Sequence, residues 1–141
     1  MKKVLLLHGP NLNLLGSREP EKYGKTTSEE IVRDLKSQYP DISIDYLQSN
    51  QEGELTDIIQ KSAANYSGLL INAGGLSHTS IAMADAIRSI AIPVIAVHIS
   101  NIYNREGYRH TDIVGEACKG SITGLGTAGY ALALECLLDE I

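Results

Sequence analysis

Tryptophan and phenylalanine are both absent from this chain of 141 residues, so its seven tyrosines supply every aromatic side chain. Cysteine is scarce too: Cys118 and Cys136 are too few for a disulfide framework and suit a reducing cytosol. No apolar run approaches the ~18 residues of a membrane span, and the run at residues 4–7 ends at His8, too early for a signal peptide. We therefore expect a cytoplasmic protein.

Positive charge is also in short supply. Twelve lysines and arginines face seventeen acidic residues, which gives a formal net charge of −5 without any basic run. This balance argues against a general nucleic-acid binder. Hydrophobic residues make up 43% of the chain and charged residues 21%, as in a folded globular protein. A chain of this length buries roughly two-thirds of its unfolded surface, so we expect one domain over residues 1–141 that needs no disulfide or metal to fold.

Short apolar runs alternate with helical patterns along the chain. The runs at 4–7, 42–47, 69–71, 93–97 and 121–123 predict strands, and the one at 42–47 alternates like a strand near a sheet edge. Helical spacing follows the capping residues 26–30 and recurs at 55–59, 81–90 and 127–138. This succession predicts an α/β fold with a flavodoxin-like, doubly wound, five-stranded parallel sheet in three α/β/α layers.

Polar residues follow the carboxyl ends of four predicted strands. The segments 8–13, 48–53, 72–80 and 98–101 are rich in asparagine, histidine and serine. Caps and turns would explain any one of them, but ligands of such sheets bind beyond the carboxyl ends of the strands, so four converging segments favour a small-molecule site. In the third segment, Gly74 and Gly75 precede a predicted helix N-terminus that would suit a carboxylate as well as a phosphate.

The connection at residues 14–23 is long for a link between a strand and its helix. Glycines at 16 and 24 flank it, which is typical of a hinged lid. Arg18 and Tyr23 could close over a bound substrate, or the segment could be a solvated loop whose tyrosine packs down. The residues alone leave both possibilities open.

Ordered sequence blocks resemble the type II 3-dehydroquinate dehydratase family, also called type II dehydroquinase. They are GPNLNLLG at 9–16 with REP at 18–20 and YG at 23–24; QSN at 48–50 with EGEL at 52–55; NAGGLSHTS at 72–80; VHISN at 97–101 with RE at 105–106 and RH at 109–110; and GLG at 124–126 with GY at 129–130. The blocks run from about residue 4 to 138. Each is weak alone, whereas the ordered set is specific.

The resemblance implies a flavodoxin-like fold and a tetrahedral homododecamer built from trimers. It implies a lyase of the shikimate pathway, in aromatic amino acid biosynthesis, that converts 3-dehydroquinate to 3-dehydroshikimate. Water is lost by anti elimination through an enolate, without metal or organic cofactor. The pathway could equally run catabolically on quinate, and the residues do not decide between these roles.

The same matching implies a role for each site residue. Tyr23 would be the base, and because a free tyrosine ionises only near pH ~10, it needs the guanidinium groups of Arg18 and Arg105 close by. Asn11 would hold the water or oxygen where enolate charge develops, and His98 would protonate the departing hydroxyl. The substrate's carboxylate, hydroxyls and ring would be bound by Asn72, Gly74, Gly75, His78, Ile99, Ser100 and Arg109, with Asp85 reaching in from a neighbouring subunit.

Two departures from the family pattern bear on this expectation. Ala96 stands where the family usually has a glutamate that orients or charges the catalytic histidine from the same strand face. His98 would then depend on water or another polar group, and Ala96→Glu is expected to raise the rate. Ala84 replaces the arginine that usually precedes the aspartate, so the strength of the subunit contact could differ from that of the family.

Two alternatives to an active enzyme are considered. One is an assembled homologue that binds ligand with weak or no catalysis. The other is a flavin- or nucleotide-binding module, which the missing phosphate loop disfavours.

Overall fold

The computed structural model describes the whole chain, Met1–Ile141, around one five-stranded sheet. Every neighbouring pair of strands is parallel, and the order across the sheet is β2-β1-β3-β4-β5. The strands are β1 (Lys3–His8), β2 (Ser43–Gln48), β3 (Gly68–Asn72), β4 (Val94–His98) and β5 (Gly120–Thr123). The helices are α1 (Pro20–Tyr23), α2 (Ser28–Gln38), α3 (Glu52–Ser62), α4 (Ile81–Ser89), α5 (Ile113–Ala117) and α6 (Ala128–Leu138). The predicted flavodoxin-like sheet is confirmed.

Helices cover both faces of the sheet, which is why the inner strands are apolar throughout. In β1, Val4 and Leu6 pack with side chains of α2 and α6, whereas Leu5 and Leu7 pack with side chains of α3, α4 and α5. These layers bury all four leucine and valine side chains completely. The predicted edge position of the second strand is also confirmed, because β2 pairs with β1 alone.

Side-chain caps mark the start of α2 and α4. Thr27 Oγ1 accepts from the backbone N–H of Glu30 at 3.2 Å, as the predicted capping pattern requires. Ser80 caps α4, since its hydroxyl accepts from the N–H of Met83 at 3.0 Å. The sequence patterns missed α5 and the single turn α1, both of which are too short to show helical periodicity.

The sheet order places a crevice between β1 and β3. From β1 the chain moves outward to β2, then returns across β1 to β3 and continues the other way, so connections diverge at this point. The segments that follow β1 and β3 lie close together. Gly9 donates its N–H to the carbonyl of Asn72 at 2.8 Å, and a Cβ on Gly9 would overlap the carbonyl of Ala73. Glycine at position 9 is therefore required for this close approach. No helix here combines the length and the apolarity that crossing a membrane demands.

Candidate active site

A pocket opens at the carboxyl edge of the sheet, under the segment that carries α1. The residues that line it come from the loops after β1, β3 and β4 and from the α1 segment: Asn11, Leu12, Arg18, Tyr23, Asn72, Gly74, Gly75, His78, His98, Ile99, Ser100, Ile102, Arg105 and Arg109. This set includes every site residue expected from the sequence except Asp85. The chain thus gathers side chains from residues 11 to 109 at one place.

Asp85 lies elsewhere, on an exposed face of α4. Its carboxylate is 3.9 Å from Arg88 and its side chain is 71% exposed, so it does not enter the pocket of its own subunit. The neighbouring Ala84 is fully buried within the subunit. A role for Asp85 in a neighbouring pocket stays a prediction.

Tyr23 is held in the pocket wall by two arginines. Nη1 of Arg105 donates to the tyrosine hydroxyl at 2.7 Å and to Ser100 Oγ at 3.2 Å. The guanidinium carbons of Arg18 and Arg105 lie 4.9 and 5.3 Å from the centre of the ring. Tyr23 is only 9% exposed, so it packs down and lines the pocket at the same time. Tyr23 thus packs down, as one of the two possibilities left open by the sequence required, and closure of the segment over a substrate stays a prediction.

Glycines mark both ends of the segment that carries Tyr23. Gly16 has φ +95° and Gly24 has φ +76°, values in the left-handed region that favours glycine. Between them, Arg18 also pairs with Glu19 at 3.5 Å. The positions expected to act as hinges are thus the positions where the backbone needs glycine.

Positive charge concentrates around the pocket in a protein that is anionic overall. Three of its lining residues are arginines, and Arg105 has a side chain only 8% exposed. Its Nε lacks a hydrogen-bond partner, although Glu106 Oε2 lies 3.6 Å away. Arg109 Nε donates to the same carboxylate oxygen at 2.9 Å. A buried guanidinium with a free N–H is suited to an anionic ligand.

His98 and His78 stand on the same side of the pocket, with ring centres 6.3 Å apart. Nδ1 of His78 donates to the carbonyl of Thr111 at 2.9 Å, and burial lowers the pKa of this histidine. Nε2 of His98 lies 2.6 Å from Oδ2 of Asp112, a residue that the sequence reasoning missed. The only sequence signal at Asp112 was that of a helix cap, which does not point to His98. No group of three or more His, Cys, Asp or Glu side chains is placed to hold a metal ion.

The polar segment after β2 supports the pocket from outside and does not line it. Asn50 Oδ1 accepts from the N–H of Asn11 at 3.0 Å and from Nε2 of Gln48 at 3.1 Å. Asn11 has φ +70°, a conformation that asparagine tolerates better than most residues. The expectation that all four polar segments converge on the ligand is wrong for this one, because its side chains turn to brace the Asn11 loop.

His8 is likewise a core residue, although the sequence placed it among the crevice groups. It is fully buried between two tyrosines: Nδ1 is 3.0 Å from Tyr46 Oη, and Nε2 is 2.9 Å from Tyr130 Oη. Asn72 Nδ2 donates to the same Tyr130 hydroxyl at 2.9 Å, and Asn72 Oδ1 accepts from Gly74 N at 3.1 Å. The Tyr130 hydroxyl therefore donates to His8 Nε2, which places the imidazole proton on Nδ1. This network fixes the amide of Asn72 in the pocket wall.

His8 should make the protein sensitive to acid. Burial lowers the pKa of His8 to about 3, from 6.5 when unfolded, so below pH 6.5 the unfolded chain binds a proton that the folded chain does not. Its contribution to the free energy of unfolding is complete above the pKa of the unfolded state, and it is lost as the pH falls below that pKa, at about 1.4 kcal/mol per pH unit. We expect His8→Gln to reduce the drop in unfolding free energy between pH 7.5 and 4.5 by about 2.5 kcal/mol.

Urea unfolding at fixed protomer concentration would measure that drop. His110→Gln, which replaces an exposed histidine, is the matched control. An unchanged pH dependence in His8→Gln would show that the imidazole titrates alike in both states.

Comparisons with known proteins show the family to which the chain belongs. A family model described as dehydroquinase class II matches residues 2–138. A "3-dehydroquinate dehydratase" from Halothermothrix orenii is 47% identical, with 100% of this chain and 97% of that protein covered. The protein of the same name from Bacillus subtilis is 46% identical over 99% of this chain and 96% of its own.

A solved structure is similar over nearly the whole fold. The crystal structure of a type II dehydroquinase from Butyrivibrio crossotus has a TM-score of 0.94 and 39% identity, with 97% of each chain covered. The family match, the full-length identity and the similarity of fold all indicate the same family. The chain belongs to the class II dehydroquinase family.

Proposed function

We propose that this chain dehydrates 3-dehydroquinate to 3-dehydroshikimate, the step of the shikimate pathway that its family catalyses. The observation that carries the proposal is the 2.7 Å hydrogen bond from Arg105 to the Tyr23 hydroxyl inside a pocket rich in arginine. The reaction removes a proton next to a ketone, and a tyrosine held by guanidinium groups is a suitable base for this step. Catalysis is assigned to the single domain formed by residues 1–141.

Each remaining step has a group in the pocket. Tyr23 takes the proton, and the negative charge that develops on the carbonyl oxygen is met by the Asn11 loop, directly or through a water. The enolate then expels the β-hydroxyl, to which His98 donates a proton, so that water leaves on the face opposite the base. Arg105 donates to the tyrosine oxygen and the guanidinium of Arg18 lies over the ring, so both place positive charge beside the group that takes the proton.

The substrate's carboxylate fits the turn after β4. The backbone N–H groups of Ile99 and Ser100 make no hydrogen bond within the chain, so both can donate to a carboxylate. Asn72 retains one amide N–H beyond its bond to Tyr130. His78 and Arg109 are assigned to the ring hydroxyls, and Gly74 and Gly75 to the floor of the pocket.

The proposal includes a homododecamer of trimers in the cytoplasm, in which Asp85 completes a neighbouring pocket. Ile81 lies one helical turn before Asp85 and is 64% exposed, so α4 presents an apolar residue and a carboxylate on one face. Such a face is suited to a contact between subunits. Mass measurement in solution tests the assembly independently of the activity.

Adding 3-dehydroquinate to the purified protein without metal tests the function. We expect the ultraviolet absorbance of the conjugated enone product to rise, at a rate proportional to protein concentration. A protein that is folded and dodecameric but yields no product would contradict the proposal and favour the ligand-binding homologue.

A further inference from the structure

We infer that Asp112 is the positioning residue for His98, supplying from the turn before α5 the carboxylate that position 96 of β4 does not carry. The inference deepens the proposed function and rests on it for the reaction itself. It concerns a residue of this chain for which the family resemblance gave no role.

The side chains of His98 and Asp112 are in close contact and largely shielded from water. His98 Nε2 lies 2.6 Å from Asp112 Oδ2, and the side chains are 7% and 13% exposed. Because a carboxylate only accepts, the Nε2 atom carries a proton, and Nδ1 is left to face the pocket. A histidine bonded this way can donate from Nδ1 only when both ring nitrogens carry a proton. The pairing therefore fixes the orientation of the His98 ring.

The carboxylate is fixed from its other side. Asp112 Oδ1 accepts from the N–H of Gly115 at 2.8 Å, which makes Asp112 the cap of α5. A Cβ at position 115 would overlap Oδ2 of Asp112, so glycine is needed there for the carboxylate to reach His98. Hydrogen bonds to His98 and Gly115 hold the pKa of Asp112 below its usual range despite the opposing effect of burial. Among the surrounding titratable groups, His78 interacts with both members of the pair, Arg109 acts on His78, and Asp112 acts on the thiol of Cys118.

Ala96 explains why the carboxylate comes from a loop. It is 2% exposed and packs in the apolar layer on the same strand face as His98. The expectation that Ala96→Glu raises the rate left open which partner of His98 replaces the glutamate. Since Asp112 is that partner, a second carboxylate beside it would be repelled and poorly solvated, so we expect the single substitution to give no gain.

Two variants separate the effect of the carboxylate from that of the helix cap. Asp112→Asn keeps the shape and the cap without the charge, and Asp112→Ser keeps a capping hydroxyl but cannot reach His98. We expect both to lower kcat by about 100-fold, the lower end of what a general acid contributes, with KM changed less than about threefold. Glu116→Gln removes an exposed carboxylate from the same helix and is the matched control, expected within about twofold of the parent.

Rescue provides the sharper test. If the role is positioning, Ala96→Glu should recover at least about tenfold in kcat in the Asp112→Ser background, although it gives no gain alone; such coupling between neighbours is what a double-mutant cycle measures. Equal effects of Asp112→Ser and Glu116→Gln on kcat, or failure of Ala96→Glu to restore any activity in a folded double variant, would overturn the inference.

A measurement without substrate distinguishes failure of the pairing from failure of the proposed function. Nitrogen-15 spectra of the histidine rings, assigned with His98→Asn, should show a strongly hydrogen-bonded Nε2 proton that disappears in Asp112→Ser. If that signal is present and the parent forms no product, the dehydratase proposal fails while the pairing stands. A signal that Asp112→Ser does not alter would overturn the pairing whatever the activity.

Discussion

Tyr23→Phe is expected to lower kcat for dehydration by about 10³-fold or more, because it removes the hydroxyl to which the proposed mechanism assigns proton abstraction. Phenylalanine keeps the ring that Arg18 and Arg105 contact and the burial that the side chain needs, since only the hydroxyl is lost. Folding, assembly and substrate affinity should therefore change little. Initial rates of enone formation, with KM determined separately, would measure the effect.

Tyr39→Phe is the matched control for that experiment. It deletes the hydroxyl that bonds Glu135 at 2.6 Å, on the α2–α6 side of the sheet and away from the pocket. Its kcat should stay within about twofold of the parent. A loss of less than tenfold in Tyr23→Phe would assign the base to another residue.

Arg105→Gln is expected to have the second largest effect, a loss of about 10²- to 10³-fold in kcat at neutral pH, as for the removal of one preorganised charge-stabilising donor. Its guanidinium donates to the Tyr23 hydroxyl and is almost wholly buried, so its charge acts with little screening by water. Without it, the Tyr23 oxygen loses its hydrogen-bond donor and the positive charge beside it. Initial rates of enone formation at pH 7, with KM determined separately, would measure the loss.

Two further variants make this result specific to Arg105. Arg105→Lys keeps the charge without the forked donor geometry and should recover part of the rate. Arg33→Gln removes an arginine of α2 that is 72% exposed, and it should leave kcat within about twofold of the parent. A rise in KM with kcat unchanged in Arg105→Gln would indicate a role in binding substrate and not in holding the base.

The sheet could be predicted because the burial of each strand determines the pattern of apolar residues within that strand. An inner strand packed on both faces must be apolar throughout, as residues 69–71 are, and the mixed pattern of β2 reflects its single neighbour. Helix α5 was not predicted, because five residues do not complete enough helical turns to show a periodic pattern of apolar residues. Strand order then places the pocket, which is why most of the site could be expected from the loops that follow the strands.

The errors arise where a side chain's partner is distant in sequence. His8 looks like a crevice residue because it ends a strand, yet Tyr130, 122 residues away, gives it a hydrogen bond in the core. Asp112 looks like a helix cap and nothing more, because its contact with His98 depends on how residues 99–111 fold back beside β4. Neither contact produces a periodic pattern, so sequence alone does not reveal them.

The placement of Tyr23 on the glycine-flanked segment has a consequence for the timing of catalysis. A segment hinged at Gly16 and Gly24, as the sequence predicts, would carry the phenol away from Arg105 whenever it opened. The base and the moving segment would then be the same stretch of backbone, so proton abstraction would occur only while that segment is closed.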